Sequence, residues 1–441
     1  MPNLLKRSIL VLAASFYLLA LAAFGQSQGP KLQHPAPKPL GKPSKYGLVA
    51  RPVDKSYLKS IVTKAEAVSL PSAWDWRLHN GVTPAKDKGI YSACWAFAVI
   101  GEVESMVMRR TGVIRDYAEY TLIGCGPYGD DCNCGGNAFH AATLLTTHGV
   151  LDEKRDPYSQ CSRYRECHIH QIPSPIQVNM LGYRYLANDI NEIKYVVWKY
   201  GPVYTELYAS LGLWFLSAGN VYVSNSSNNP NHSVLIIGWD DNKSYSGGQG
   251  AWIIKNSWGD DWADNGYGWV AYNSARIGTN SSFFPDYKIY DPNEEILYYD
   301  ERGCDNALGY GDSVGTGLVA FTPPKNGVVD SVDFWTTGVN AGYELWVVGS
   351  FDGTWVKNTL AHQDGTCDRE GLYSVKIINP PAVTLNQEIY VLIRWHVPGS
   401  MFPIPVDSSG TPTTNKCYTS HWGEGWQMDS TSDIGIRVRI K

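Results

Sequence analysis

The apolar pattern divides this chain into four stretches. Ile9 to Ala23 is a continuous apolar run behind Lys6 and Arg7. Residues 26 to about 69 are rich in Pro, Lys and Ser and show little periodicity before SYLKSIVTKAEA. From Leu70 the pattern first predicts helices. A mostly apolar, helix-forming run extends from Cys94 to about Thr111, followed by DYAEYTLIG and NAFHAATLLTTHG. Further on, NHSVLIIGW, AWIIKNSW and GYGWVAY are dense in β-branched and aromatic residues, which predicts strands. Past about Pro285 no helical period of any length remains. VVDSVDFW, YELWVVG, LYSVKII, EIYVLIRW and IGIRVRIK are short strand patterns between Gly, Pro, Asn and Asp turns, and they predict an all-β sandwich. In the last of them Ile434, Ile436, Val438 and Ile440 face one way. Gly435, Arg437, Arg439 and Lys441 face the other.

Composition narrows the picture. The net charge of -5 gives no electrostatic case for nucleic acid. The first apolar run is short for a spanning helix, and Ala23-Phe24-Gly25 places small residues where a signal peptidase reads. Residues 1–25 are therefore expected to be a secretory signal, with no transmembrane span after its cleavage. Nine cysteines fit an oxidising compartment. With Cys94 free, five lie in the region from Leu70 (Cys125, Cys132, Cys134, Cys161, Cys167) and three lie after it (Cys304, Cys367, Cys417). Both groups are odd, so either one bridge joins the regions or each keeps a free thiol. CNC lacks a second cluster at ligand spacing, and no cofactor or metal is expected.

Cys94 stands where a loop becomes a helix, at the positive end of the helix dipole. That position favours the nucleophilic thiolate. Far downstream lie His232 in NPNHSVLIIGWD and Asn256 in WIIKNSWGDDWADNGYGW. The order Cys, His, Asn, with separations of about 140 and 24 residues, is that of a papain-like cysteine protease. Residues from about Leu70 to Tyr287 resemble the papain family. The matching pieces are LPSAWDWR, VTPAKDKG, SACWAFA, CNCGG, GPV, NHSVLIIGW and KNSWGDDWADNGYGW, in family order. The pieces YYDERGCDNALGYGD, SVDFWTT, YELWVVG, FPIPVD and SHWGEGWQ resemble the lectin-like domain that follows such catalytic domains in some bacterial and archaeal secreted or surface proteases.

The resemblance implies an α+β, two-lobe papain-like domain over residues 70–285 and a lectin-like β-sandwich over 286–441, after a short pro-segment or linker at 26–69. That segment is too short for the helical prodomain usual in the family. The implied roles are Cys94 as nucleophile and His232 as base and then acid, the two forming a thiolate–imidazolium pair. Asn256 would orient the histidine, Trp258 would cover that bond, and Gly135 and Gly136 would line the substrate cleft. Trp262 and Tyr267 read as packing. Either Cys132 or Cys134 is the counterpart of the family's cysteine in CNCGG.

Two positions depart from the family. Lys88 stands where a glutamine donates to the oxyanion, so it is either a substitute donor or a defect. Tyr91 stands where a disulfide cysteine is usual. The expected function is an exported endopeptidase acting through a Cys94 thioester on proteins or peptides, in a secreted, periplasmic or cell-surface setting. The rivals are a surface-binding protein with an impaired protease domain and a transpeptidase. Subsite walls fall near Asn137, Leu207 and Pro230. In the last domain Trp335, Trp355, Trp422 and Trp426 are candidates to stack on cell-surface carbohydrate, and Asp364 to Asp368 is an acidic cluster with calcium chemistry.

Overall fold

The computed structural model describes residues 57–128, 135–162, 177–413 and 415–441, together with Tyr46, Leu48, Val49, Lys55, Cys132, Asn133, Cys167 and Ile169. The expected signal (1–25), most of the expected pro-segment before Tyr57, and Cys134 lie outside the described residues.

The helix that begins at Cys94 runs Cys94–Thr111 and is buried from Cys94 through Val107. It stops at Gly112, whose φ of 72° is the left-handed conformation glycine adopts without strain, and whose N–H bonds the Met108 carbonyl at 2.7 Å. Arg109 and Arg110 complement the dipole at that end. Helices Glu119–Cys125 and Ala138–Thr147 complete one lobe, and Asn137 caps the second by accepting from the backbone N–H of Phe139 and His140. His140 and His148 fall in this helix and at its C-cap. The other lobe is a sheet of Val203–Leu207, His232–Tyr245, Gly248–Lys255 and Tyr267–Ala271. A further helix, Ile190–Tyr200, packs there, with Ile193, Val196 and Val197 buried.

The C-terminal region is β throughout. A six-stranded sheet has the order Val356–Cys367, Ala341–Phe351, Ile389–His396, Val314–Phe321, Cys417–Ser420, Gln427–Asp429. It encloses a core with the strands Gly327–Thr336 and Ile436–Ile440, whose inward residues include the fully buried Ile434, Ile436, Val438 and Ile440.

The two regions are not separate bodies joined by a tether. Gly371 and Leu372 of the C-terminal region pair antiparallel with Arg184 and Tyr183 of the first, so one sheet runs through both. Gly371 has φ 147°, and a Cβ there would collide with the Tyr183 carbonyl. Trp335 and Leu372 belong to the same buried cluster as the helix that begins at Cys94. The second face of the last strand is not open to water. Arg437 and Arg439 are 0% and 1% exposed. Arg437 clasps Asp300 through Nε and Nη2 at 2.8–3.0 Å and reaches Thr146 Oγ1 at 2.9 Å. Arg439 pairs with Asp333 and Glu294 and donates to the Thr146 carbonyl at 2.8 Å, at the C-terminus of helix Ala138–Thr147. Alternation sorted these residues correctly between faces. Charge alone did not show that the polar face is an interior one, because paired arginines can be buried where hydrophobes would otherwise sit.

Among the described residues the disulfides are Cys125–Cys167 and Cys132–Cys161. Cys132 is thus a bridged member of CNCGG. Cys304, Cys367 and Cys417 are free, and among the described residues no bridge joins the two regions.

Candidate active site

Three segments converge on the space between the lobes. Cys94 begins its helix with no side-chain cap, so its thiol sits at the open N-terminal turn. His232 opens its strand opposite Leu207. Asn256 follows the adjacent strand, Gly248–Lys255. His232 Nε2 lies 2.8 Å from Asn256 Oδ1, and the backbone N–H of Ser257 donates to the same oxygen at 2.8 Å. Two donors on one atom fix the amide orientation. They also assign the histidine proton to Nε2 and leave Nδ1, which has no hydrogen-bond partner, as the free base. Trp258 stacks on the imidazole with centroids 4.8 Å apart and rings 20° from parallel. Trp262 packs edge-on against Trp258, and the Tyr267 hydroxyl donates to the Thr83 carbonyl, so both are packing residues.

The loop before Cys94 is stitched to this triad segment. Asp87 bridges to Trp258, and the Lys88 N–H donates to the Ser257 carbonyl at 3.0 Å. Tyr91 packs on Tyr158, whose hydroxyl donates to the Lys88 carbonyl at 2.8 Å, and the Ser92 N–H bonds the Cys132 carbonyl at 2.7 Å. These contacts hold the loop without the bridge that Tyr91 precludes. The Lys88 ammonium is buried and donates to the carbonyls of Tyr91 at 2.8 Å and Gly89 at 3.3 Å. Two of its three N–H groups are spent inside the loop, and one remains.

Burial works against the expected thiolate–imidazolium pair. Both Cys94 and His232 are 0% exposed. Burial pushes the Cys94 thiol above its ordinary value, against the opposing effects of the Lys88 charge and of Ser233, whose N–H and hydroxyl act on the sulfur. Burial pushes His232 down to about 3, against its bond to Asn256. Both shifts favour the neutral thiol and the neutral imidazole. Sequence reasoning assigned the partners but not the solvent around them, and desolvation penalises both charged forms.

Tyr46, from the segment before Leu58, is among the groups that cover the pair. The Tyr46 ring lies 5.3 Å from that of His232 and 5.9 Å from Trp258. Leu48 forms a bridge with Gly136, the Val49 N–H donates to the Gly136 carbonyl at 3.0 Å, and Asn137 Nδ2 donates to the Val49 carbonyl at 3.2 Å. Gly135 has φ 75°, and a side chain at Gly136 would strike the Trp95 indole. The glycine pair thus lets its backbone approach the chain at Leu48 and Val49. Lys55 and Tyr57 then both engage the Glu370 carboxylate of the C-terminal region, Tyr57 at 2.5 Å. Tyr46 and Ser233 carry no residue-type signal of their own in the sequence; only proximity reveals them.

Of the four aromatic candidates in the last domain, Trp335 is 2% exposed and donates to Asp300 at 3.1 Å, so it is core. Trp426 packs against Phe351. Trp355 and Trp422 are exposed. Asp364 pairs across strands with Glu344, and Asp368 binds Arg369 at 2.6 Å. Among the described residues no three His, Cys, Asp or Glu side chains converge as a metal site.

A two-lobe domain with Cys94 on the helical lobe, and His232 and Asn256 on the sheet lobe, is the architecture of a papain-like protease. Residues 70–284 match the model of the papain family of cysteine proteases, and residues 296–435 match that of a lectin-like domain. The chain is 34% identical over 231 residues to the viral cathepsin of Heliothis zea nuclear polyhedrosis virus, covering 51% of this chain and 58% of that protein. It is 30% identical over 230 residues to cathepsin J of Rattus norvegicus, covering 51% of this chain and 67% of that protein. Its fold matches the cysteine protease and lectin-like domains of Cwp84, a surface layer associated protein of Clostridium difficile, with a TM-score of 0.74 at 18% identity over 97% of this chain and 96% of that one. This chain belongs to the papain family of cysteine proteases and carries a C-terminal lectin-like domain. It spans 58–60% of the length of the first four curated relatives it matches. Among the described residues no helix is long and apolar enough to cross a membrane.

Proposed function

We propose that this protein is an exported cysteine endopeptidase, held latent by its N-terminal segment. The observation that carries the reading is the His232–Asn256 bond under Trp258, which leaves Nδ1 as a free base beside the helix that begins at Cys94. Nδ1 takes the Cys94 proton, and the sulfur attacks the peptide carbonyl. The imidazolium then protonates the departing amine, and water hydrolyses the thioester. An epoxide-type cysteine protease inhibitor should label Cys94, and the labelled protein should lose peptide cleavage. Cleavage that persists after stoichiometric labelling would overturn the assignment.

Residues 26–69 supply the latency in this reading. Their contacts at His232, Gly136 and Glu370 support it. With the thiol pKa raised by burial, thiolate is scarce at neutral pH and grows roughly tenfold per pH unit. Inhibitor labelling of the full chain is therefore expected to be slow at pH 7 and to climb with pH. Removal of residues 26–69 returns water to the pair, lowering the Cys94 value and raising that of His232. Labelling should then be fast at pH 7 and flatter with pH. Equal rates with and without the segment would make it a spacer.

Lys88 completes the oxyanion site with its remaining N–H, beside the Cys94 backbone N–H. Lys88→Ala should lower kcat on the order of a hundredfold while Cys94 still labels. A second reading rests on the same residue: with its ammonium turned to loop carbonyls, Lys88 is a defect in a protein whose main role is surface binding. In that case Lys88→Gln should exceed the natural sequence in activity.

The lectin-like domain would bring the protease to cell-surface carbohydrate. Trp422 is its best platform, exposed and with its carbonyl held by Arg394 Nη2 at 2.8 Å. Trp422→Ala should release the protein from isolated cell walls; unchanged retention would remove this residue from the site.

A further inference from the structure

Glu370 fastens the N-terminal segment to the C-terminal region. It lies on the seam between the two regions. The Tyr185 N–H donates to its carbonyl at 3.0 Å, and the next two residues, Gly371 and Leu372, pair with Arg184 and Tyr183. Arg369 before it is buried against Glu192 at 3.1 Å. The sheet thus sets the carboxylate in place. Glu370 is 3% exposed, and among the described residues its side-chain donors are Lys55 and Tyr57. The Lys55 ammonium also lies 4.7 Å from the centroid of the Tyr185 ring, a cation–π contact. The Leu58 N–H bonds the Lys55 carbonyl at 3.1 Å. Lys55 to Leu58 is therefore a turn that presents lysine to one oxygen of the carboxylate and tyrosine to the other.

A cavity of about 570 Å³ opens beside this contact. Its walls include Trp335, Val397, Met401 and Phe402 of the C-terminal region and Tyr185 of the first. The Thr336 hydroxyl also lines it, buried and without a hydrogen-bond partner among the described residues. The volume falls in the range of ligand sites, about 300–1,000 Å³. The walls are mostly apolar, so a carboxylate stripped of Lys55 and Tyr57 would stand uncompensated against them. Another lysine, with a tyrosine two residues on, would restore both bonds. The site is within reach of the cleft. Lys55 is six residues beyond Val49, which bonds Gly136, and six extended residues span roughly 20 Å. One polypeptide can occupy both.

We propose that Glu370 and this cavity form a second peptide-binding site, separate from the cleft, which takes a Lys-x-Tyr element of a protein substrate once residues 26–69 have left. The segment is the internal stand-in for that element. Binding at this site does not depend on the chemistry at Cys94, so it is measured on Cys94→Ala protein. The probe is a labelled octapeptide with the sequence of residues 53–60, VDKSYLKS. Protein freed of residues 26–69 should bind it at least tenfold tighter than the same peptide with Ala at the lysine and tyrosine that correspond to Lys55 and Tyr57. The full chain, whose site is filled, should bind it at least tenfold more weakly than the freed protein. Glu370→Gln in the freed protein should bring the preference to within about threefold. Should the freed protein not stay folded, the full chain carrying Lys55→Ala and Tyr57→Ala takes its place, and should bind the octapeptide at least threefold tighter than the natural full chain. Equal affinities for the two peptides, equal binding by filled and emptied protein, or an undiminished preference in folded Glu370→Gln protein overturns the proposal. In active protein, a quenched peptide with Lys-Ser-Tyr-Leu six residues from the cleaved bond, on either side, should show a KM at least tenfold lower than its Ala-Ser-Ala-Leu counterpart at unchanged kcat. Equal KM values overturn the substrate as occupant. The expected binding without any cleavage by the natural protein overturns only the peptidase reading.

Discussion

His232→Ala should reduce kcat/KM on a denatured protein substrate on the order of 10⁴-fold. One ring serves twice, taking the thiol proton and later protonating the amine, and none of the groups around it can replace both acts. Cys94→Ala should abolish cleavage, since no other side chain can form the thioester. Asn256→Ala should cost less, roughly 5- to 150-fold, because it removes one buried hydrogen bond worth about 1–3 kcal/mol. Asn256 accepts from the imidazole at 2.8 Å and never touches the substrate in the proposed reaction. The measurement is kcat/KM for the three variants, each checked for an unchanged thermal midpoint. Activity surviving Cys94→Ala would end the assignment. A loss at Asn256 equal to that at His232 would mean the asparagine does more than orient.

Arg437→Ala should lower stability by about 3–5 kcal/mol, a large share of what holds a typical domain folded. The guanidinium is fully buried and makes three hydrogen bonds to Asp300, which is itself fully buried. Removing it leaves a carboxylate with only the Trp335 indole N–H as side-chain donor, and severs the link to Thr146. Replacing Arg437 and Asp300 together by apolar or neutral residues of similar volume should recover most of the loss, because neither charge is then stranded. Denaturant unfolding of the single and double variants distinguishes the two; equal losses would mean that the packing, not the charge, is what matters. The same reasoning predicts the fate of a chain ended at Pro285. The composition break there suggests a catalytic domain that stands alone. Ending the chain at that point strips the partner strand from Tyr183 and removes Trp335 and Leu372 from the catalytic core. Its thermal midpoint should fall well below that of the full chain.

Short-range chemistry was legible in the sequence. The helix expected from Cys94 to about Thr111 has those bounds, and the strands around His232 and before Asn256 lie where β-branched runs placed them. The proposed triad could be picked out because its residue types stand in motifs whose order is informative. Each of these depends on neighbours in the chain, and the amino-acid order specifies neighbours directly. Other features depend on what is far away in sequence. The side chain of Lys88 folds back on its own loop, and Cys132 takes Cys161 as its partner. Arg437 and Arg439 are interior residues only because helix Ala138–Thr147 ends against them. The burial of Cys94 and His232 was decided last. Position at a helix N-terminus favours thiolate, yet Tyr46, Leu48 and Val49 contribute to a covered site in which burial outweighs that advantage. Sequence by itself determined which groups can react. Tertiary structure decided their solvent, and with it which charged forms burial disfavours, because desolvation depends on every atom packed nearby and no local pattern encodes that sum.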